Sequence, residues 1–422
     1  MYELAKKLFP ICRSITGNGV RETLKILKEE FSEMNIFEVP SGTKVFDWEV
    51  PKEWNIKDAY IKDSNGEKIV DFKKNNLHVL GYSTPMDEYL SLDELLEIVY
   101  TQPDQPDVIP YVTSYYKERR GFCMSENQKK SLKNGKYHCV IDSELKDGSL
   151  TYGEIIIPGQ TEKEILLSTY ICHPSMANNE VSGPCVTINL AKWINSIENR
   201  RYTYRILFIP ETIGSITYLS KNLDVMKKNT IAGFVLSCVG DDRTYSYVES
   251  KYANTLTDRV IQNVLEYYYP AYKRYSFLQR GSDERQYNAP GIDLPVCSVC
   301  RSKYGEYPEY HTSADNLKLI SEKGLQGTFE LMKKCIMALE YNQYYKINCL
   351  GEPQLGKRGL YPTVSQKGTY GGVKLLTNFV AYADGKNDLI EIADIIGCSV
   401  NDLIGIVVQL LNKNMIKIVD VF

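Results

Sequence analysis

Only four histidines occur in the 422 residues. His78, in "NLHVLG", and His138, in "YHCVID", sit in alternating, strand-like patterns and are read as structural. His173 and His311 differ. His173 ends the apolar run "EILLSTYICH" and is followed by the small, polar "PSMANNEVSG"; His311 lies in "KYGEYPEYHTSADNL". Carboxylates recur at comparable places. Glu211 ends "YRILFIPE", Asp283 and Glu284 lie in "QRGSDERQY", and Asp315 closes "HTSAD". Imidazole nitrogens and carboxylate oxygens are donors that zinc accepts at about 2.0–2.2 Å while keeping a position for water. A carboxylate beside that water can act as general base. Taken singly, each residue has a plainer role: a strand-end histidine is usually structural, and Asp283 or Glu211 could cap a turn or helix. Their order along the chain is what points to a site.

That order matters because of the elements around it. "EILLSTYI", "YRILFIP", "AGFVLSCV" and "LPVCSVC" are near-continuous apolar runs, as a sheet buried on both faces requires. Helical patterns alternate with them in "GPCVTINLAKWINSI", "TDRVIQNVLEYYY" and "EKGLQGTFELMKKCIMALEYNQYY", which argues α/β with a largely parallel sheet. Such sheets place their sites beyond the carboxyl ends of the strands. Residues 1–35 read as helical, with Leu24, Leu27 and Phe31 at helical spacing. Residues 36–130 are β-rich ("VFDWEV", "DAYIKD", "KIVDF", "LHVLGYS") with one helix, "SLDELLEIVY", opened by the Ser91/Glu94 capping-box pair. After a Gly/Pro-rich connection, "NDLIEIADIIGCSVNDLIGIVVQLLNKNMIKIV" outlines a winged helix-turn-helix.

Composition is that of an ordinary globular protein, 43% hydrophobic and 24% charged, with net charge −3, which gives no general attraction to nucleic acid or anionic membrane. The second winged-helix segment, "SVNDLIGIVVQLLN", holds no Lys or Arg for phosphates. It is expected to make protein contacts, including a homo-oligomer, rather than to bind nucleic acid. No signal peptide or apolar run of membrane-span length is visible. The eleven scattered cysteines suit a reduced, cytoplasmic chain. The lone C-x-x-C at 297–300 has no second pair to complete a structural zinc site and reads as core.

The segments "ICHPSMANNEVSGP", "FIPETIGSITYLS", "LHVLGYSTP", "IPYVTSYYKERRGFC" and "YHTSADNL" carry a resemblance over nearly the whole chain. The chain resembles a bacterial group of aminopeptidase-like proteins, often found with polysaccharide-biosynthesis genes and related to the zinc-dependent leucyl aminopeptidases and glutaminyl cyclases. The resemblance implies a zinc-aminopeptidase-like, doubly wound mixed α/β sheet, an inserted β-rich domain and a C-terminal winged helix-turn-helix. The expected domains are residues 1–35 with 131–345, residues 36–130, and residues 346–422.

Carried over residue by residue, the first metal histidine matches His173, the general-base glutamate Glu211, the ligand of the "SD" motif Asp283, the second histidine His311, and its nearby carboxylate Asp315. Two positions depart. The carboxylate that bridges two metals falls on Asn179, with Glu180 next to it, and a further ligand carboxylate falls on Thr212. A neutral amide oxygen is a poor bridge between two dications. The resemblance therefore implies one Zn2+, held by His173, Asp283 and either Glu180 or His311. Glu211 would be the base and Asp315 a partner that orients an imidazole. The expected activity is hydrolysis of a peptide or amide bond in a small substrate. The alternative is a catalytically inactive binding protein linked to polysaccharide biosynthesis.

Overall fold

The computed structural model describes residues 1–360 and 373–419. The last part of the Gly/Pro-rich connection, 361–372, lies outside the described residues. The chain divides into two compact units: residues 1–255 with 273–329, and residues 256–272 with 330–422.

The first unit is built on an eight-stranded mixed sheet. Its centre is four mutually parallel strands in the order Thr203–Ile209, Glu164–Tyr170, Thr230–Leu236 and Val296–Cys300. Every residue of Glu164–Tyr170 is buried, which accounts for its unbroken apolar run. Ser149–Ile157 pairs antiparallel with Thr203–Ile209, and Asn35–Pro40 pairs antiparallel with Ser149–Ile157. At the other side Ser246–Val248 runs antiparallel to Val296–Cys300 and parallel to Lys273–Tyr275. Helices Ser182–Asn195 and Ile213–Asn229 follow two of the central strands, as βαβ connections require.

Close packing explains the "SG" at 182–183. A Cβ on Gly183 would stand 2.3 Å from Thr169 Oγ1 and 2.5 Å from the Leu236 carbonyl oxygen. Only glycine lets this helix start directly against the ends of two strands, and the loop before it carries Glu180.

A four-stranded antiparallel sheet also belongs to the first unit, ordered Lys68–Asp71, Glu53–Lys62, Lys136–Lys146, Met86–Ser91. The borders expected at 36 and 131 are therefore displaced. Asn35–Pro40 joins the large sheet, and Lys136–Lys146 joins the small one, because backbone pairing assigned them where local alternation could not. Within the β-rich segment, Leu92–Glu97 is the expected helix with a complete Ser91/Glu94 capping box. "LHVLGYS" is not a strand: Asn76–His78 forms a short 3-10 helix, with His78 Nδ1 2.8 Å from the Cys123 carbonyl oxygen.

The second unit has a three-stranded antiparallel sheet, Asp384–Asp388, Tyr344–Ile347 and Ile416–Val419, with helices Lys374–Tyr382, Leu389–Ile396 and Val400–Asn412. It also takes in helix Leu256–Tyr268, from which Asn263 accepts the Val400 N–H (2.9 Å) and Arg259 pairs with Asp388 (2.6 Å). Among the described residues no single helix is long and apolar enough to cross a membrane, and no disulfide forms.

Candidate active site

The strand Glu164–Tyr170 delivers His173 beyond its carboxyl end, where the side chain is buried. Two groups hold it and a third faces it. Its carbonyl oxygen accepts from Arg13 Nε at 2.9 Å, its Nδ1 lies 2.9 Å from Glu180 Oε2, and its Nε2 lies 3.6 Å from Glu211 Oε2. Burial alone would lower the imidazole's pKa. The Glu180 hydrogen bond and the Glu180 and Glu211 charges outweigh it, so the pKa is raised.

Glu180 lies on a single π-turn, Ala177–Val181, all of it buried. The carboxylate of Asp315 fixes that turn by accepting the N–H groups of Asn178 (2.6 Å) and Asn179 (2.9 Å), and it also accepts from the Tyr307 hydroxyl at 3.0 Å. Its burial pushes its pKa up to about 6. Asp315 thus shapes the loop that carries Glu180. It makes no bond to His311, so its expected role as that imidazole's partner is corrected.

Glu180 is also not a free ligand. Its Oε1 is 3.3 Å from Arg13 Nε, and both side chains are buried. An ion pair of this kind keeps each charge tolerable only while the other is present. Glu180 therefore fixes which nitrogen of His173 is presented outward, as a carboxylate behind a metal histidine does. Arg13, from "FPICRSITG", was not among the expected residues. Its only signal was an isolated arginine in an apolar stretch.

Glu211 follows Thr203–Ile209 and is half-buried; burial raises its carboxyl pKa. It sits on an unusual turn. Thr212 has φ 64° and ψ −75°, and the Ile213 N–H donates to the Glu211 carbonyl oxygen at 2.8 Å. This is the rare γ-turn geometry, and positive φ is a genuine outlier for a β-branched residue. Such strain persists only where surroundings impose it. Here Asp283 Oδ1 accepts the Thr212 N–H (2.7 Å) and the Ser215 hydroxyl (2.8 Å), and Arg285 Nη2 donates to Thr212 Oγ1 at 2.5 Å. Thr212 thus serves as the anchor of the base's turn. Asp283 is fully buried, and burial together with Glu211 pushes its carboxyl up to about 7.

His311 has φ 57° and is stacked on Tyr310. Its ring centroid is 5.4 Å from that of His173, and Tyr111 lies within 5.2 Å of both. Tyr111 comes from the β-rich segment, whose backbone ties down the His311 loop: the Tyr111 N–H donates to the His311 carbonyl oxygen at 2.8 Å. Burial, then the neighbouring His173, pushes the His311 imidazole down to about 3, so it stays neutral.

Several acceptors here have no partner. Asp283 Oδ2, His311 Nε2 and Asn179 Oδ1 are buried without a hydrogen bond. His173 Nε2 has only Glu211 at 3.6 Å, too far for one. Orphaned imidazole nitrogen, carboxylate oxygen and amide oxygen are of the donor types that a divalent cation takes, although His173, His311 and Asp283 do not bring three ligand atoms within 4.8 Å of one another. A second cluster, Cys172 Sγ, His173 Nδ1 and a Glu180 oxygen, lies within 4.8 Å. It fits less well. Burial holds the Cys172 thiol far above its usual range, its sulfur accepts the Glu211 N–H (3.2 Å), and Glu180 is engaged by Arg13.

A family model described as a domain of unknown function, DUF4910, matches residues 2–342. The chain belongs to the DUF4910 family. A winged helix-turn-helix model matches residues 343–418. A Clostridium acetobutylicum protein, named for polysaccharide biosynthesis with an aminopeptidase-like domain, is 48% identical over 395 residues, 93% of this chain and 90% of that protein. A crystal structure from the same organism, assigned as a peptidase, is 45% identical with TM-score 0.93, covering 99% of this chain and 96% of the other. The zinc aminopeptidase of Bacillus subtilis superposes with TM-score 0.57 at 12% identity, over 80% of this chain and 94% of its own. The mixed α/β sheet of this DUF4910 chain is thus that of zinc aminopeptidases, followed by a winged helix domain.

Proposed function

We propose that the first unit hydrolyses a peptide or amide bond with one zinc ion, and that Glu211 is the general base. The orphaned acceptors around His173 are the observation that carries this: His311 Nε2, Asp283 Oδ2 and Asn179 Oδ1 lack partners in a region where burial makes an unpaired polar atom costly. With His173 Nε2 they would hold the ion after side-chain movements that draw them closer than the separations seen here. When bound, zinc supplies Lewis acidity at the scissile carbonyl. Glu211, its carboxyl pKa raised by burial, is suited to take a proton from water at Oε2 and pass it to the leaving amine. Glu180 and Arg13 keep His173 oriented, and Tyr111 restricts the space above both imidazoles to a small substrate. The polysaccharide name of the Clostridium relative points to an amide on a sugar or cell-envelope precursor. The absence of Lys and Arg from Val400–Asn412 supports a protein-contact role for the winged helix.

The test is hydrolysis of an amide panel by zinc-loaded protein. Glu211→Gln should lose at least about 100-fold in rate while keeping its metal. Neutral Asn179 and Thr212 favour a second reading, a binding protein without turnover. Ligand binding with no hydrolysis by the wild type would select it.

A further inference from the structure

We propose that Arg285 binds a carboxylate carried by the substrate close to the scissile bond, an inference that rests on the hydrolase reading above. Two guanidinium groups reach the site, and they are treated differently. Arg13 is fully buried, donates to the carbonyl oxygens of Leu8 and His173, and is ion-paired with Glu180. Arg285 is half-buried and makes one hydrogen bond, from Nη2 to the neutral Thr212 hydroxyl at 2.5 Å. Its Nε is buried without a partner, and among the described residues no carboxylate lies within ion-pair distance of it. A guanidinium carries five N–H donors and cannot shed its charge. The buried Nε–H of Arg285 without an acceptor is unfavourable, and a ligand at the half-exposed guanidinium would complete it.

The position of this group is specific. Arg285 stands two residues after Asp283, and the two grip Thr212 from both sides, Asp283 at the N–H and Arg285 at the hydroxyl. Thr212 is the residue next to the base, so Arg285 flanks the place where the amide must lie. The charges of Glu211 and Asp283 both feel Arg285, which favours their ionised forms, but neither carboxylate stands within ion-pair distance of it. Glu211 Oε2 lies 3.6 Å from His173 Nε2, and Asp283 Oδ1 accepts from Thr212 and Ser215. An ion-pair partner for it would come from outside. A carboxylate matches the planar fork of a guanidinium with two parallel bonds. Its single negative charge is also repelled less by Glu211 and Asp283 than the double charge of a phosphate. The substrate class is therefore an amide or peptide with a carboxylate near the bond to be cut.

Isothermal titration of the zinc-loaded full chain with four hydroxamates tests this. The probes are acetohydroxamate and the monohydroxamates of malonate, succinate and glutarate. The hydroxamate group is common to all, and the carboxylate is carried at three distances. At least one acidic probe should bind about tenfold or more tighter than acetohydroxamate. That advantage should vanish in Arg285→Met and survive in part in Arg285→Lys, which retains a point charge. Thermal melts and acetohydroxamate binding of each variant report whether the fold and zinc site persist. Equal affinity for all four probes in the wild type overturns the proposal, as does an acidic-probe advantage that survives in Arg285→Met. If no hydroxamate binds at all, the zinc reading itself falls and takes this inference with it, an outcome distinct from equal binding.

Discussion

The two sides of the site differ in how their polar atoms are satisfied. Behind His173, the charged groups engage one another, Arg13 with Glu180, Glu180 with Nδ1, and Asp315 with the amides of the π-turn, and the atoms left without a hydrogen bond, Arg13 Nη2 and Glu180 Oε1, belong to that ion pair. In front, Asp283 Oδ2, His311 Nε2, Asn179 Oδ1 and Arg285 Nε are buried and unpartnered. The front is also the side nearer water, since Glu211, Arg285 and His311 are half-buried while Arg13, Glu180 and Asp315 are buried. The closed side is scaffold, whose charges serve to aim one imidazole. The open side keeps donors and acceptors that only a ligand can satisfy, and its strained Thr212 is the local cost of holding Glu211 there.

Breaking the closed side should have the largest effect. Arg13→Met leaves Glu180 buried with its ion-pair partner gone and should cost about 3–5 kcal/mol in urea unfolding. Adding Glu180→Gln to that variant should recover part of the loss, because no buried charge then remains. Additive losses would separate the two residues. Glu180→Gln alone should weaken zinc binding about 10–100-fold, whereas an unchanged affinity would remove Glu180 from the positioning role.

The open side should reveal itself through pH. Asp283 is held up to about 7 in the folded chain, against about 3.9 unfolded. A carboxyl raised on folding gives its full stability below the unfolded value and loses it as pH climbs through the folded one. In metal-free protein, Tm should therefore fall between pH 4 and 7 more steeply for the wild type than for Asp283→Asn. Parallel curves would mean that Asp283 is not held protonated. The smallest effect is expected at Thr212. Thr212→Gly relieves the positive φ but loses the Arg285 contact, so stability should change by no more than about 1 kcal/mol. A much larger loss would show that the hydroxyl, rather than the turn, is what the position requires.

Much of this was legible in the sequence because burial writes itself into composition. The four central strands were visible as unbroken apolar runs, and the winged helix as two amphipathic helices and a short strand. His173 and Glu211 stood out from their places beyond strand ends, whereas Asp283, before the short helix Glu284–Tyr287, was singled out from Glu284 only by resemblance. What was not legible depends on contacts distant in the chain. Arg13 meets Glu180 across 167 residues, an encounter no local pattern encodes. Asp315 looks like a partner for His311 because it is four residues away, yet the fold turns it toward the π-turn. The β-rich borders failed for a related reason, since Lys136–Lys146 alternates in either sheet and only pairing decides. Thr212 read as a lost ligand, but its φ and its two partners show a structural use.

The most direct measurement is zinc content per chain, on protein purified without added metal or chelator, for wild type and His173→Ala. About one zinc in the wild type, lost in the variant while its melting transition stays cooperative, is the result this account predicts. No zinc in the wild type even after reconstitution, or one zinc retained without His173, would contradict it.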